Sequence, residues 1–162
     1  MIHFSHDPIA LVQNPAFGAH LLWSFGRGFQ EEKVGDLAPM PSYFLVLPLI
    51  LHQPTLDEIR ATNLPSGLSK LVSKLAKERE RLMAIHDRAI RLRELSFQSL
   101  GVGTAAGILE VEYESGLVQA NQCTLPTTPH SLRFHVSGAQ KLGKWFARLP
   151  QGQVFALLQV VI

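Results

Sequence analysis

The residues most able to do chemistry are seven histidines and a single cysteine, Cys123. Histidine and cysteine are common zinc ligands, and a cysteine beside a base can act as a nucleophile. The sequence has neither Cys-x-x-Cys nor His-Glu-x-x-His spacing, and His130 and His135 lie five residues apart in a predicted loop. No basic residue adjoins Cys123 to activate its thiol. We therefore expect no metal site and no cysteine nucleophile.

Acid–base chemistry would need paired carboxylates, which occur at residues 31–32 and 57–58. The first pair lies in a polar linker predicted over residues 31–41. The second lies in the first turn of a predicted helix, where acids favour the helix dipole. The glycines of residues 101–107 follow a predicted helix, whereas a dinucleotide-binding loop follows a strand. We therefore expect no catalytic residue, no bound cofactor and no enzymatic activity.

Positive charge is the clearest feature that could bind a partner. Residues 70–93 contain eight Lys and Arg side chains against three acids, although the whole chain has a net charge of only +2. Such a run is most often a solvated helix face, but it can also dock an acidic protein surface or contact nucleic acid phosphates. The candidate partner-binding residues, chosen for their charge and expected exposure, are Lys77, Arg79, Arg81, Arg88 and Arg91.

Helices would position most of these residues. Asn14 and Pro15 form a typical helix start, and apolar residues spaced by four over residues 17–29 predict a helix with one inward face. The glycines of this helix predict close approach by another element. Residues 43–51 are apolar apart from a tyrosine hydroxyl. They predict a buried central helix that is kinked at Pro48 and too short to cross a membrane.

Further helix starts are indicated by capping residues. Capping-box spacing at residues 55–58 and 137–140 predicts two of them, and Ser66 is a candidate cap for a third. The apolar stripes within residues 68–95 fit one long helix or two, and the charged run at residues 77–81 favours a break between them. After the helix predicted from Ser137, the short apolar stretch at residues 154–162 fits a helical turn or an edge strand.

A β-hairpin is predicted near residue 115. Residues 109–114 alternate in polarity, and Ser115-Gly116 is suited to a two-residue loop. In that register Tyr113 pairs with Val118 and shares its inner apolar face. The opposite face carries Glu110, Glu112 and Glu114.

The helix–helix–hairpin order of this region is winged-helix-like. A winged-helix DNA-binding regulator is therefore an alternative function, in which the arginines of the basic run would face phosphates. The glutamates of the hairpin oppose this alternative, because a wing that grips DNA should not repel the phosphate backbone.

The composition predicts one domain over residues 1–162, with a fold that is mainly α (α+β): a compact helical domain with a β-hairpin. The chain is long enough, and at 46% hydrophobic residues apolar enough, to bury a core. A single cysteine excludes an internal disulfide and favours a reducing compartment, so we expect a cytoplasmic protein. The first residues show no signal peptide pattern, and we expect no membrane contact.

Four segments in order resemble a known family. They read NPAFGAHLLWSFGRGFQE at residues 14–31, YFLVLPLILH at 43–52, KLGKWFA at 141–147 and VFALL at 154–158. They resemble the middle component of bacterial three-component ABC-ATPase systems. That family often ends in a Leu-Gly-Val-Arg-Pro-like tail, from which the last residues of this chain depart, so no role is assigned to them.

The resemblance implies a small non-enzymatic subunit encoded between an SMC-like ABC ATPase and a variable effector, in systems implicated in conflict with phages. It supplies no catalytic residues. It implies an adaptor whose partners are the ABC ATPase and the effector, with nucleic acid contacted only within the assembly.

Overall fold

The computed structural model describes residues 13–161. Within that range the chain forms nine α-helices, two 3-10 helices and three short strands, which confirms the mainly α fold with a small β-sheet. None of the described helices has the length and hydropathy needed to cross a membrane. The helices are α1 Pro15–Glu32, α2 Met40–Tyr43, α3 Val46–Ile50, α4 Gln53–Ala61, α5 Gly67–Ala76, α6 Arg79–Arg91, α7 Arg93–Ala105, α8 Arg133–Ala147 and α9 Gln151–Leu158; the 3-10 helices are Leu64–Ser66 and His130–Leu132.

Helix α1 begins as predicted and packs most extensively against α8. The side chain of Asn14 accepts a hydrogen bond from the amide of Ala16 at 2.8 Å, which caps the helix. Where the two helices cross, a Cβ atom on Gly28 would collide with the carbonyl group of Gln140, and one on Gly143 with that of Phe25. The predicted close approach is therefore confirmed, since only glycine lets the two backbones meet.

The apolar segment is buried as predicted, but it is not one helix. Its core side chains from Tyr43 to Ile50 have essentially no exposed area. Helices α2 and α3 are separated by a turn at Phe44 and Leu45. Pro48 has no amide hydrogen to donate to the carbonyl of Phe44 one turn earlier, so a continuous helix would lose a bond at the position where the chain breaks.

The predicted hairpin is present with a different register and a third strand. Strands β1 Ala38–Pro39, β2 Leu109–Glu112 and β3 Leu117–Ala120 form an antiparallel sheet in the order β1-β3-β2. Val111 pairs with Val118, and the loop has four residues instead of two. Gly116, with a φ of 72°, closes this loop by donating to the carbonyl of Glu112 at 2.8 Å. Tyr113 therefore lies in the loop and is 90% exposed.

The predicted helix break is confirmed, whereas the capping predicted for Thr55, Ser66 and Ser137 is wrong. Helix α5 ends at Ala76 and α6 begins at Arg79, so the charged run does interrupt the helix. Neither Thr55 nor Ser137 caps a helix, because α4 begins at Gln53 and α8 at Arg133, upstream of both. Ser66 makes no capping bond to α5 either.

Candidate functional site

The five candidate basic residues do not form one charged surface. Lys77, Arg79 and Arg91 are exposed. Arg81 is half-buried at the start of α6, where its Nε lies 2.8 Å from a carboxylate oxygen of Glu78. Arg88 is only 9% exposed, so the expectation that it is exposed is wrong.

Arg88 instead links α6 to the apolar centre of the fold. Its Nε donates to the carbonyl oxygen of Pro48 at 3.1 Å, and a terminal nitrogen donates to the hydroxyl of Thr55 at 3.3 Å. That hydroxyl lies 2.8 Å from Nδ1 of His52. Arg88 has no carboxylate partner among the described residues. The guanidinium therefore acts as a hydrogen-bond donor that joins α6, α3 and α4.

The burial of this cluster shifts its ionisation. Burial lowers the pKa of Arg88, and the positive charge of Arg91 lowers it further. Burial also lowers the pKa of His52, followed by the charges of Arg88 and Arg81. Both shifts follow from removing charge from water and placing like charges together. The imidazole of His52 is consequently favoured in its neutral form.

The outward face of α6 is mixed in character. Met83 and Ile90, seven residues apart and therefore on one side of the helix, are 55% and 58% exposed. The charged side chains exposed around them are Arg79, Glu80, Asp87 and Arg91. Two bases and two acids leave this face without net charge, in contrast to the basic surface suggested by counting along the sequence. Apolar side chains bordered by both signs of charge suit a protein contact better than phosphate binding.

A groove adjoins this face at the end of the described chain. It has a volume of about 520 Å³ and is lined by Met83, His86 and Val161 among others. The amide of Val161 donates to Nδ1 of His86 at 3.3 Å, and the Val161 side chain is 79% exposed. The apolar surface of α6 therefore continues onto the segment that follows α9.

The hairpin presents negative charge. Glu110, Glu112 and Glu114 are all exposed, as their predicted orientation required. The register differs from the prediction by two residues, and an even shift leaves the paired side chains of the two strands on their original faces. Tyr113 and Glu114 lie in the loop, so Tyr113 does not share the inner face as predicted. A hairpin that carries these acids would repel a phosphate backbone.

Among the described residues, no group of three or more His, Cys, Asp or Glu side chains converges as metal ligands. Cys123 is exposed and free. His135 packs edge-on against Phe17, and its Nδ1 is buried without a hydrogen-bond partner. Burial lowers the pKa of His135.

A second group of cations, which the sequence did not bring together, surrounds the end of α4. The Nζ of Lys141 donates to the carbonyl oxygens of Ile59 and Thr62 at 3.1 and 3.0 Å. The Nζ of Lys74 donates to the carbonyl of Ala61 and the hydroxyl of Thr62, both at 3.0 Å. Lys74 and Lys141 lie on different helices far apart in the sequence, so only the packing of α4, α5 and α8 brings them together.

Comparison with known proteins gives one family. A family model described as ABC-three component (ABC-3C) system Middle Component 3 matches residues 5–162. No curated protein and no solved structure matches the chain.

Proposed function

The chain belongs to the Middle Component 3 family of ABC-three component systems, and from that premise we propose that it is a non-enzymatic cytoplasmic adaptor. In this proposal it links an SMC-like ABC ATPase to the effector protein of an anti-phage or conflict system. It acts through protein interfaces, and it contacts nucleic acid only within the assembly.

The observation that carries the proposal is the outward face of α6. Met83 and Ile90 are large apolar side chains left in water, and Arg79 and Arg91 border them. Methionine and arginine are enriched in protein interfaces, where apolar side chains fill the centre and charged ones form the rim. This face is therefore a candidate docking surface for one component, with the groove beside Val161 extending it.

The candidate basic residues divide into two classes under this proposal. Lys77, Arg79 and Arg91 are exposed contacts at the rim, so they should influence the rate of association and its salt dependence. Arg81 is paired with Glu78 and contributes less. Arg88 supports the fold through its hydrogen bonds to Pro48 and Thr55, and we do not propose it as a partner contact.

The test measures whether variants of this face still assemble with the other components of the system. The double variant Met83→Asp with Ile90→Asp, coexpressed with the other components, should reduce co-purification of one component at least about tenfold, because buried charge is costly at an interface. The matched control is Val34→Asp with Tyr113→Asp. It makes the same change at apolar residues that are 89% and 90% exposed elsewhere.

Thermal unfolding should be nearly unchanged in both double variants, since all four side chains are exposed. Full retention of every component by the α6 variant would refute the assignment of this face. Equal loss in the control variant would show that added charge, and not the face, is responsible.

A further inference from the structure

A basic cleft lies between α4 and α8, away from the outward face of α6. Its volume is about 580 Å³, and we define the basic cleft by its lining residues, Asp57, Arg60, Ala61, Phe134, Ser137 and Lys141. Lys74, which shares Thr62 with Lys141, adds a further cation at one end.

Two guanidinium groups are held over the same aromatic ring. The central carbon of Arg60 lies 3.5 Å from the centre of the Phe134 ring, and that of Arg133 lies 4.4 Å from it. At the shorter distance the guanidinium must stack flat on the ring, which leaves its N–H groups directed along their own plane. Arg133 is further held by a contact of 2.7 Å with Nδ1 of His130. Both guanidinium groups are therefore placed by contacts within the protein, without a ligand.

The charge of the basic cleft is not balanced. None of Arg60, Lys74, Arg133 and Lys141 forms an ion pair with a carboxylate in the part of the chain that the structure describes. Asp57, the one acid in the lining, accepts a hydrogen bond from Gln53 at 2.8 Å. Burial lowers the pKa of Lys141, and the nearby charge of Lys74 lowers it further. An arriving anion would relieve the repulsion among these cations.

We propose that the basic cleft binds an acidic segment of a protein partner, whose carboxylates accept hydrogen bonds from the guanidinium group of Arg60 in the cleft and from that of Arg133, which contacts the same Phe134 ring. Planar carboxylates match the fork of donors that arginine presents. The proposal rests on the proposed function in one respect, because it supplies the second interface that an adaptor between two proteins needs.

Protein is favoured over nucleic acid by the aromatic ring itself. Single-stranded nucleic acids bind through bases stacked on open aromatic faces, but Arg60 already covers the Phe134 ring at contact distance. Asp57 also lines the basic cleft and would repel successive phosphates of a nucleic acid backbone. A protein segment with an acidic side chain next to a hydrogen-bond donor could bind Arg60 through its carboxylate and Asp57 through its donor.

The test uses the full chain and three probes: a short peptide of alternating aspartate and serine, its counterpart with asparagine in place of aspartate, and inorganic phosphate. Binding is followed by NMR at low salt through the Nε–H signals of Arg60 and Arg133. The acidic peptide should shift these signals saturably and the amide peptide should not. Arg60→Ala and Arg133→Ala should each weaken peptide binding about tenfold, the effect of losing a charge-assisted donor.

Arg93→Ala is the matched control, because Arg93 is an exposed arginine on α7 outside the basic cleft. It should leave the affinity unchanged. Ser137→Glu keeps every cation and places a competing carboxylate in the basic cleft, so it should weaken binding even if an arginine variant fails to fold.

Three results would overturn the proposal: equal binding of the amide peptide, equal weakening by Arg93→Ala, or tighter binding of phosphate than of the acidic peptide. Failure of the adaptor function is recognised separately. In that case the acidic peptide still binds the basic cleft, but the wild-type chain co-purifies with no other component of its system.

Discussion

Replacing Arg88 by methionine tests whether this cation supports the fold or serves a partner. Methionine keeps much of the apolar stem and removes all the donors. The carbonyl of Pro48 and the hydroxyl of Thr55 would lose bonds that are 3.1 and 3.3 Å long in the wild type. A buried acceptor left unpaired costs about 1–3 kcal/mol, partly offset because an unpaired guanidinium no longer has to be buried.

We therefore expect Arg88→Met to lower the free energy of unfolding by about 2 kcal/mol, which corresponds to a drop of about 4–8 °C in Tm for a chain of this size. Arg91→Met is the control, since Arg91 is exposed on the same helix and should change stability by no more than about 0.5 kcal/mol. Urea unfolding followed by circular dichroism measures both values.

A second readout is the ionisation of His52. The charge of Arg88 contributes to the lowered pKa of His52, so its removal should raise that pKa, as measured by NMR titration of the imidazole. Equal stability of the two variants would refute the structural role of Arg88. Loss of partner binding by a fully stable Arg88→Met protein would restore Arg88 as a contact.

Two further predictions follow from the packing and from the buried histidines. Gly143→Ala should lower the free energy of unfolding by about 3 kcal/mol, because the new Cβ would meet the backbone of α1. Gly101→Ala, in open space on α7, should raise it by about 0.5–1 kcal/mol. The urea midpoints of the two variants should therefore move in opposite directions. Burial lowers the folded pKa of His20, His52 and His135, so the unfolded chain takes up protons first as the pH falls. These groups should leave the free energy of unfolding unchanged above about pH 7 and should lower it from about pH 6.5 downward. A urea midpoint that stays the same between about pH 7.5 and 5.5 would contradict this reasoning.

The sequence was sufficient to predict the burial of the central apolar run and the outward orientation of the strand glutamates. A run of apolar residues around Leu47 had to be buried whatever its backbone conformation, so that prediction was correct even though the run forms two short helices. Glu110 and Glu112 were placed on the correct face even though the register was two residues out. Strand β1 was missed because two residues, Ala38 and Pro39, show no alternation and pair only with a strand far along the chain.

The candidate surfaces depended on information that the sequence does not carry directly. Counting charge along residues 70–93 treated Arg88 and Arg91 alike, although one faces the core and the other faces water. A helical projection would have separated them, because Arg88 lies three residues after the buried Ile85. The basic cleft could not be anticipated, since Arg60 and Phe134 come from α4 and α8 and meet only in the folded chain.

The central claim is that this chain joins two other proteins, and an omission experiment tests it most directly. The ABC ATPase and the effector of the same system would be coexpressed with and without this chain, treated with nuclease, and the tagged ATPase purified in about 0.5 M salt, where exposed charge contacts are screened. We predict that the effector co-purifies only when this chain is present. Equal recovery of the effector without it would contradict the adaptor function.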